Sequence, residues 1–145
     1  WVRENTPRDA IFFDTDNRVF LLVAGPRRYY IGHQIYAEGW GYDPAEVTRR
    51  ASIRDAIYSA EPLDAEMLRA LGEMPGPAFI IVRTELGKPV LTKIGRHNAA
   101  FQHRFTAGPV RVYEINQPNC RALAERFEHG HDHQHDHEHG DGTAQ

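Results

Sequence analysis

The chain has 145 residues, of which 41% are hydrophobic and 26% charged, an ordinary balance for one folded domain with one core. No run of eighteen apolar residues occurs, which excludes a membrane span within the sequence given. The formal charge of -3 includes five acids gathered at the C-terminus (Glu128, Asp132, Asp136, Glu138, Asp141), so the remainder carries about +2, too balanced for a nucleic-acid footprint.

From the N-terminus, Trp1 and Val2 followed by Pro7 predict the last turn of a helix that stops before the proline. Ala10 to Phe13 is wholly apolar and ends at Asp14, the pattern of a buried strand. Asp16 and Asn17 supply turn chemistry. Val19 to Val23 forms a second apolar run closed by Ala24, Gly25 and Pro26. The segment RRYYIGHQIYAEGWGYD is aromatic and glycine-rich without a period and is expected to be a long structured loop.

Asp43 and Pro44 make an N-cap and first helical position, after which Val47, Ala51, Ile53, Ile57 and Tyr58 share an apolar face as far as Ala60. Pro62 to Asp64 restart the chain. Ala65, Met67, Leu68 and Leu71 mark a second short helix closed by Gly72. Ala78 to Val82 predicts a central strand, and Val90 to Ile94 a weaker one. Phe101 to Phe105 and Val110 to Ile115 read as a hairpin across TAGP, and Pro118 or Asn119 starts a last helix carrying Leu123, Ala124 and Phe127.

Strands separated by helices, then a hairpin, imply an α/β domain of two or three layers: a mixed sheet flanked by helices, ending in an antiparallel hairpin. Residues 1–127 form this domain. Residues 128–145 have no large apolar side chain to bury and are expected to form a disordered His-rich tail.

Three segments carry candidate chemistry. In the tail, His129, His131, His133, His135, His137 and His139 alternate with glycine, glutamine and acids; a flexible chain could gather several imidazoles around zinc, nickel or copper. The bland alternative is a solubilising tail with incidental affinity. In FFDTDN, a buried strand ending in Asp-x-Asp is how haloacid-dehalogenase-type phosphatases present a nucleophile, with Asp14 and Asp16 in the two acid roles around magnesium. Asn17 and Arg18 depart from that motif, and turn-forming aspartates are the stronger reading. In RRYYIGH and the loop beyond it, Arg28, Tyr30, Gly32, His33 and Trp40 could line a ligand cleft: arginine for an anion, an aromatic face for a sugar, glycine for close backbone approach. The same residues could simply cap the sheet and turn the chain, which is the stronger reading. His97, His103 and Cys120 have no partners at a catalytic spacing, and a single cysteine excludes an internal disulfide.

The opening WVRENTPRDAIFF resembles the start of the C-terminal soluble domain in polytopic membrane proteins of the GT-C glycosyltransferase class. There a helix ends in Trp-[Ile/Val]-Arg-Glu-Asn-Thr-Pro and an x-Asp-Ala-[Val/Ile]-Phe segment enters the first strand. Arg28 to Gly32, the helix around RASIRDAIY, and Phe101, Phe105 and VRVYEI in the hairpin are similar in a looser way, so the likeness spans residues 1 to 116. GPAFIIV departs from the family's common strand of the type Tyr-Val-Val-Val preceded by Gly-Val.

The resemblance implies transmembrane helices upstream in the same parent chain, an extracytoplasmic location, and a domain that assists binding of acceptor, glycan or lipid-linked sugar. In that class the catalytic acid lies among the membrane helices. No catalytic residue is therefore carried onto this chain, and no cofactor is expected for the folded domain.

Overall fold

The computed structural model describes residues 1–14, 27–32, 37, 39–85 and 87–132. Its elements are α1 (Val2–Asn5), β1 (Ile11–Phe13), β2 (Arg28–Tyr29), α2 (Pro44–Tyr58), α3 (Ala65–Gly72), β3 (Ala78–Arg83), α4 (Lys88–Arg96), β4 (Phe101–Ala107), β5 (Val110–Ile115) and α5 (Gln117–Asp132). The architecture is α/β, with a mixed five-stranded sheet in the order β2-β1-β3-β5-β4. β2, β1 and β3 run parallel, Ile11 lying opposite Arg28 on one side and Ala78 on the other. β5 is antiparallel to β3, and the β4–β5 hairpin closes the far edge. Gly108, at φ 52, turns that hairpin in the left-handed region where a side chain is disfavoured.

The central strands are apolar on both faces because both faces are covered. Ile11, Phe13, Ile80 and Val82 point into the main core with Val47, Ala51, Ile57, Leu68, Leu71, Ile94, Cys120 and Ala124. The four longer helices α2, α3, α4 and α5 therefore share one face of the sheet. Phe12, Phe79, Ile81 and Val112 point the other way into a smaller cluster against Trp1 and Val2 of the α1 segment. The Trp1 ring stacks on Phe105 with centroids 5.0 Å apart.

Side-chain caps start α2, α3 and α5. The Asp43 carboxylate accepts from Ala45 N at 3.0 Å, and Asp64 accepts from Met67 N at 2.8 Å. The Asn116 side-chain oxygen accepts from Asn119 N at 3.1 Å, opening α5. Among the described residues no helix is long and apolar enough to cross a membrane.

Four expectations meet a different outcome or none. Val90 to Ile94 belongs to helix α4 rather than a strand: Pro89 sits in the first turn, and Val90, Lys93 and Ile94 are buried at helical spacing. The segment expected to be loop throughout contributes the edge strand β2, whose Arg28 N donates to Ala10 O at 3.1 Å and whose successor Tyr30 N donates to Phe12 O at 2.9 Å. α5 continues through Asp132, so residues 128–132 are helical. The strand expected at Val19 to Val23 lies outside the described residues.

Candidate functional site

β2 is a two-residue edge strand, and α2 and α3 pack near it on the main-core side. Between them lies a pocket of about 430 Å³, walled by Arg28, Tyr29 and Tyr30, by Arg49, Arg50 and Ile53 of α2, and by Glu66 and Arg69 of α3 with Glu73 just after it. Glu66, Arg69 and the C-cap Glu73 are spaced at three and four residues, so one polar stripe of α3 and its C-cap faces the pocket while Met67, Leu68 and Leu71 go to the core.

Tyr30 anchors the basic wall. It is 6% exposed, its ring lies against Phe13 at 4.4 Å between centroids, and Arg50 Cζ stands 5.5 Å from the ring centroid on the cation–π side. Arg50 Nη1 also donates to Tyr30 O at 3.3 Å. The Tyr30 hydroxyl is buried beside the Arg49 guanidinium, a donor, and its own proton has no acceptor among the described residues. Burial raises its pKa, while the nearby guanidiniums of Arg49 and Arg50 pull the other way.

Glu46 organises the two arginines. Its carboxylate accepts from Arg49 Nε at 2.7 Å and from Arg50 Nε at 2.6 Å, and these bonds, Arg49's first, hold its pKa down to about 2. One carboxylate shared by two guanidiniums leaves a surplus positive charge beside Tyr30. Arg28, exposed at the start of β2, adds another. Across the pocket Arg69 is paired with Glu128 of α5, which leaves Glu66 and Glu73 to set the sign of the α3 wall. The pocket is thus basic on the β2–α2 side and acidic on the α3 side. It suits a small polar ligand with an anionic end and hydroxyl donors.

Of the residues singled out in the sequence, the structure brings Arg28 and Tyr30 together here. Gly32 follows Tyr30 and has open space about it but is not part of the wall. Trp40 is 77% exposed and does not reach the pocket, and His33 lies outside the described residues. Arg27, adjacent to the pocket in sequence, turns away to bond the end of α1, with Nη2 donating to Thr6 O at 2.7 Å and to Arg3 O at 2.9 Å. Arg49, Arg50, Glu66 and Glu73 went unnoticed because polar positions on amphipathic helices look alike until packing orders them.

The Asp14 of FFDTDN follows β1 where the chain leaves for β2, while β3 leaves in the opposite direction, so Asp14 and the end of β3 flank the sheet's switch point. Its side chain is fully buried and pairs with Arg83 Nη2 at 3.1 Å. That enclosure suits a structural ion pair rather than an exposed nucleophile. Asp16 is outside the described residues. His129 is exposed on the last turns of α5 and His131 follows in the same helix, whereas His133, His135, His137 and His139 lie outside the described residues. Among the described residues no three His, Cys, Asp or Glu side chains are grouped to hold a metal ion. Cys120 is fully buried, and burial pushes its thiol up to about 12, which makes it a packing residue rather than a nucleophile. The chain matches no protein-family model, no curated protein and no solved structure.

Proposed function

We propose that this chain is a non-catalytic, extracytoplasmic α/β domain of a polytopic, glycosyltransferase-like membrane protein, and that its pocket between β2, α2 and α3 binds acceptor or glycan. The observation that carries the binding role is the pairing, in one pocket, of Arg28 and the Tyr30 region with Glu66 and Glu73. Guanidiniums donate, carboxylates accept, and Ile11 and Ile53 offer apolar surface, the mixture that polyhydroxylated ligands need. The membrane context and the glycosyltransferase likeness are supported by WVRENTPRDAIFF and VRVYEI. The transmembrane region of the same parent chain is the domain's partner in this reading.

Two measurements test it. Titration of short oligosaccharides into isotopically labelled protein should move the amides of Arg28, Arg49 and Glu73; perturbations confined to other surfaces would refute the pocket. The parent gene should encode hydrophobic spans of about twenty residues upstream of Trp1, and their absence would refute the membrane context.

A second reading gives the tail a role in binding zinc, nickel or copper. It is favoured by α5 continuing through Asp132, which leaves His129 exposed and places His131 two residues on in the same helix. Calorimetry with each metal on the full chain and on a chain ending at Phe127 separates the readings. Equal weak binding by both would remove the tail's role.

A further inference from the structure

Resting on the pocket reading above, we infer that its ligand is a sugar bearing an anionic substituent, carboxylate or phosphate, with the anion seated against Arg28, Arg49 and the Tyr30 hydroxyl and the ring hydroxyls donating to Glu66 and Glu73.

Tyr30 supplies the first line of argument. A buried hydroxyl forfeits its hydrogen bonds to water, and here its polar neighbour, the Arg49 guanidinium, can only donate, so the hydroxyl's own proton has no acceptor among the described residues. Here the hydroxyl is buried in the residue that lines the basic wall, beside Arg49 and Arg50. An anion drawn to the guanidiniums would take up the hydroxyl's proton as a hydrogen bond, and both groups would be satisfied by one ligand atom set.

Charge distribution supplies the second. Glu46 neutralises only one of the two guanidiniums that it binds, with Arg49 at 2.7 Å and Arg50 at 2.6 Å. Arg28 has no ion-pair partner among the described residues, so the wall presents unspent positive charge in a fork geometry suited to a planar carboxylate or a phosphate. A neutral sugar would leave that charge unused. The opposite wall argues against a simple anion: Glu66 and Glu73 would repel it unless the ligand also brings donors. An anionic sugar answers both walls at once, and a volume of about 430 Å³ admits one or two rings.

Calorimetry on the full chain with glucose, glucuronate, glucose 6-phosphate and inorganic phosphate tests this. Glucuronate or glucose 6-phosphate should bind at least about tenfold more tightly than glucose, the worth of one charge-assisted hydrogen bond or more. Which of the two is preferred identifies the anion. Arg28→Ala should abolish the preference. Tyr30→Phe, which keeps the ring on Phe13, should weaken both anionic sugars several-fold without unfolding the protein, as circular dichroism will verify. Glu66→Gln should weaken the sugars more than inorganic phosphate. If glucose binds as tightly as the anionic sugars, the anion is refuted and the glycan pocket stands. Inorganic phosphate binding as tightly as glucose 6-phosphate would refute the sugar. Binding by none of the four, with the fold intact, overturns the inference, and the oligosaccharide titration then decides the pocket reading separately.

Discussion

Arg83, the last residue of β3, reaches the residue after β1 and places Nη2 3.1 Å from Asp14 Oδ2, closing the ends of two parallel strands on each other across 69 residues of chain. The Asp14 carboxylate is fully buried, whereas Arg83 keeps a third of its side chain exposed. Removing the arginine therefore leaves a buried charge with less compensation, while removing both partners does not. Arg83→Ala should cost about 3 kcal/mol in urea unfolding, and Asp14→Asn with Arg83→Met clearly less. Equal losses in the two variants would show that the ion pair does not govern this corner.

Tyr58 ties α2 to the same corner. Its hydroxyl stands 2.8 Å from the carbonyl oxygens of both Phe13 and Ile81, so one proton serves either strand. Burial drives its pKa well above 10.0, and the Asp14 carboxylate adds to the rise. The unfolded chain releases this proton near the ordinary value and the folded chain holds it, so the hydroxyl's contribution is complete below about pH 10 and fades as pH climbs beyond that. Tyr58→Phe should lose about 1 kcal/mol at neutral pH and show a shallower alkaline decline than the parent. An unchanged alkaline slope would assign that decline to other groups.

The strands whose core contacts are wholly apolar were legible from residue order. Ile11–Phe13, Ala78–Arg83 and the hairpin strands announce themselves as apolar or alternating runs, and Asp43, Pro44 and Asp64 mark helix starts. β2 was not, because two residues on a sheet edge have no period and owe their conformation to carbonyls of Ala10 and Phe12. Val90 and Ile94 misled since five residues with apolar ends fit strand or helix; Pro89 was the signal that decides it. At the pocket, Arg28 and Tyr30 stood out by residue type. Their acidic counterparts could be recognised only once α3 was packed, and Asp14 read as turn chemistry because its partner lies a whole crossover away.

Gly87 caps α4 in a space that admits no side chain. A Cβ there would collide with Val82 Cγ1 and stand 2.7 Å from Arg83 O, a backbone atom that cannot swing aside. Gly87→Ala should cost about 2 kcal/mol or more in thermal or urea unfolding. Gly95, within the same helix, has nothing within 4 Å of its own added Cβ, so Gly95→Ala should stabilise by about 0.5–1 kcal/mol through helix propensity. Opposite signs at the two positions are the expected outcome, and matching signs would contradict the packing described for α4.

Arg27 fastens the N-terminal segment. A four-residue helix holds too few internal bonds to persist alone, and α1 ends with carbonyls that need donors. Arg27 supplies them: Nη2 donates to Thr6 O at 2.7 Å and Arg3 O at 2.9 Å, and Nε to Thr6 Oγ1 at 3.3 Å. The two carbonyls share Nη2 while Thr6 Oγ1 is reached from Nε, and a single ammonium on a shorter side chain does not reproduce that pair of nitrogens, so Arg27→Lys should behave much like Arg27→Ala. Either change should cost about 1–2 kcal/mol and loosen Trp1 from Phe105. Trp40 is 77% exposed and would mask the signal, so the measurement belongs in a Trp40→Phe background. There, the remaining tryptophan emission should shift red and become more accessible to acrylamide when Arg27 is replaced. Lysine restoring the parent spectrum would mean that charge alone, rather than the forked geometry, holds α1 against the face of the sheet that carries Phe12 and Phe79.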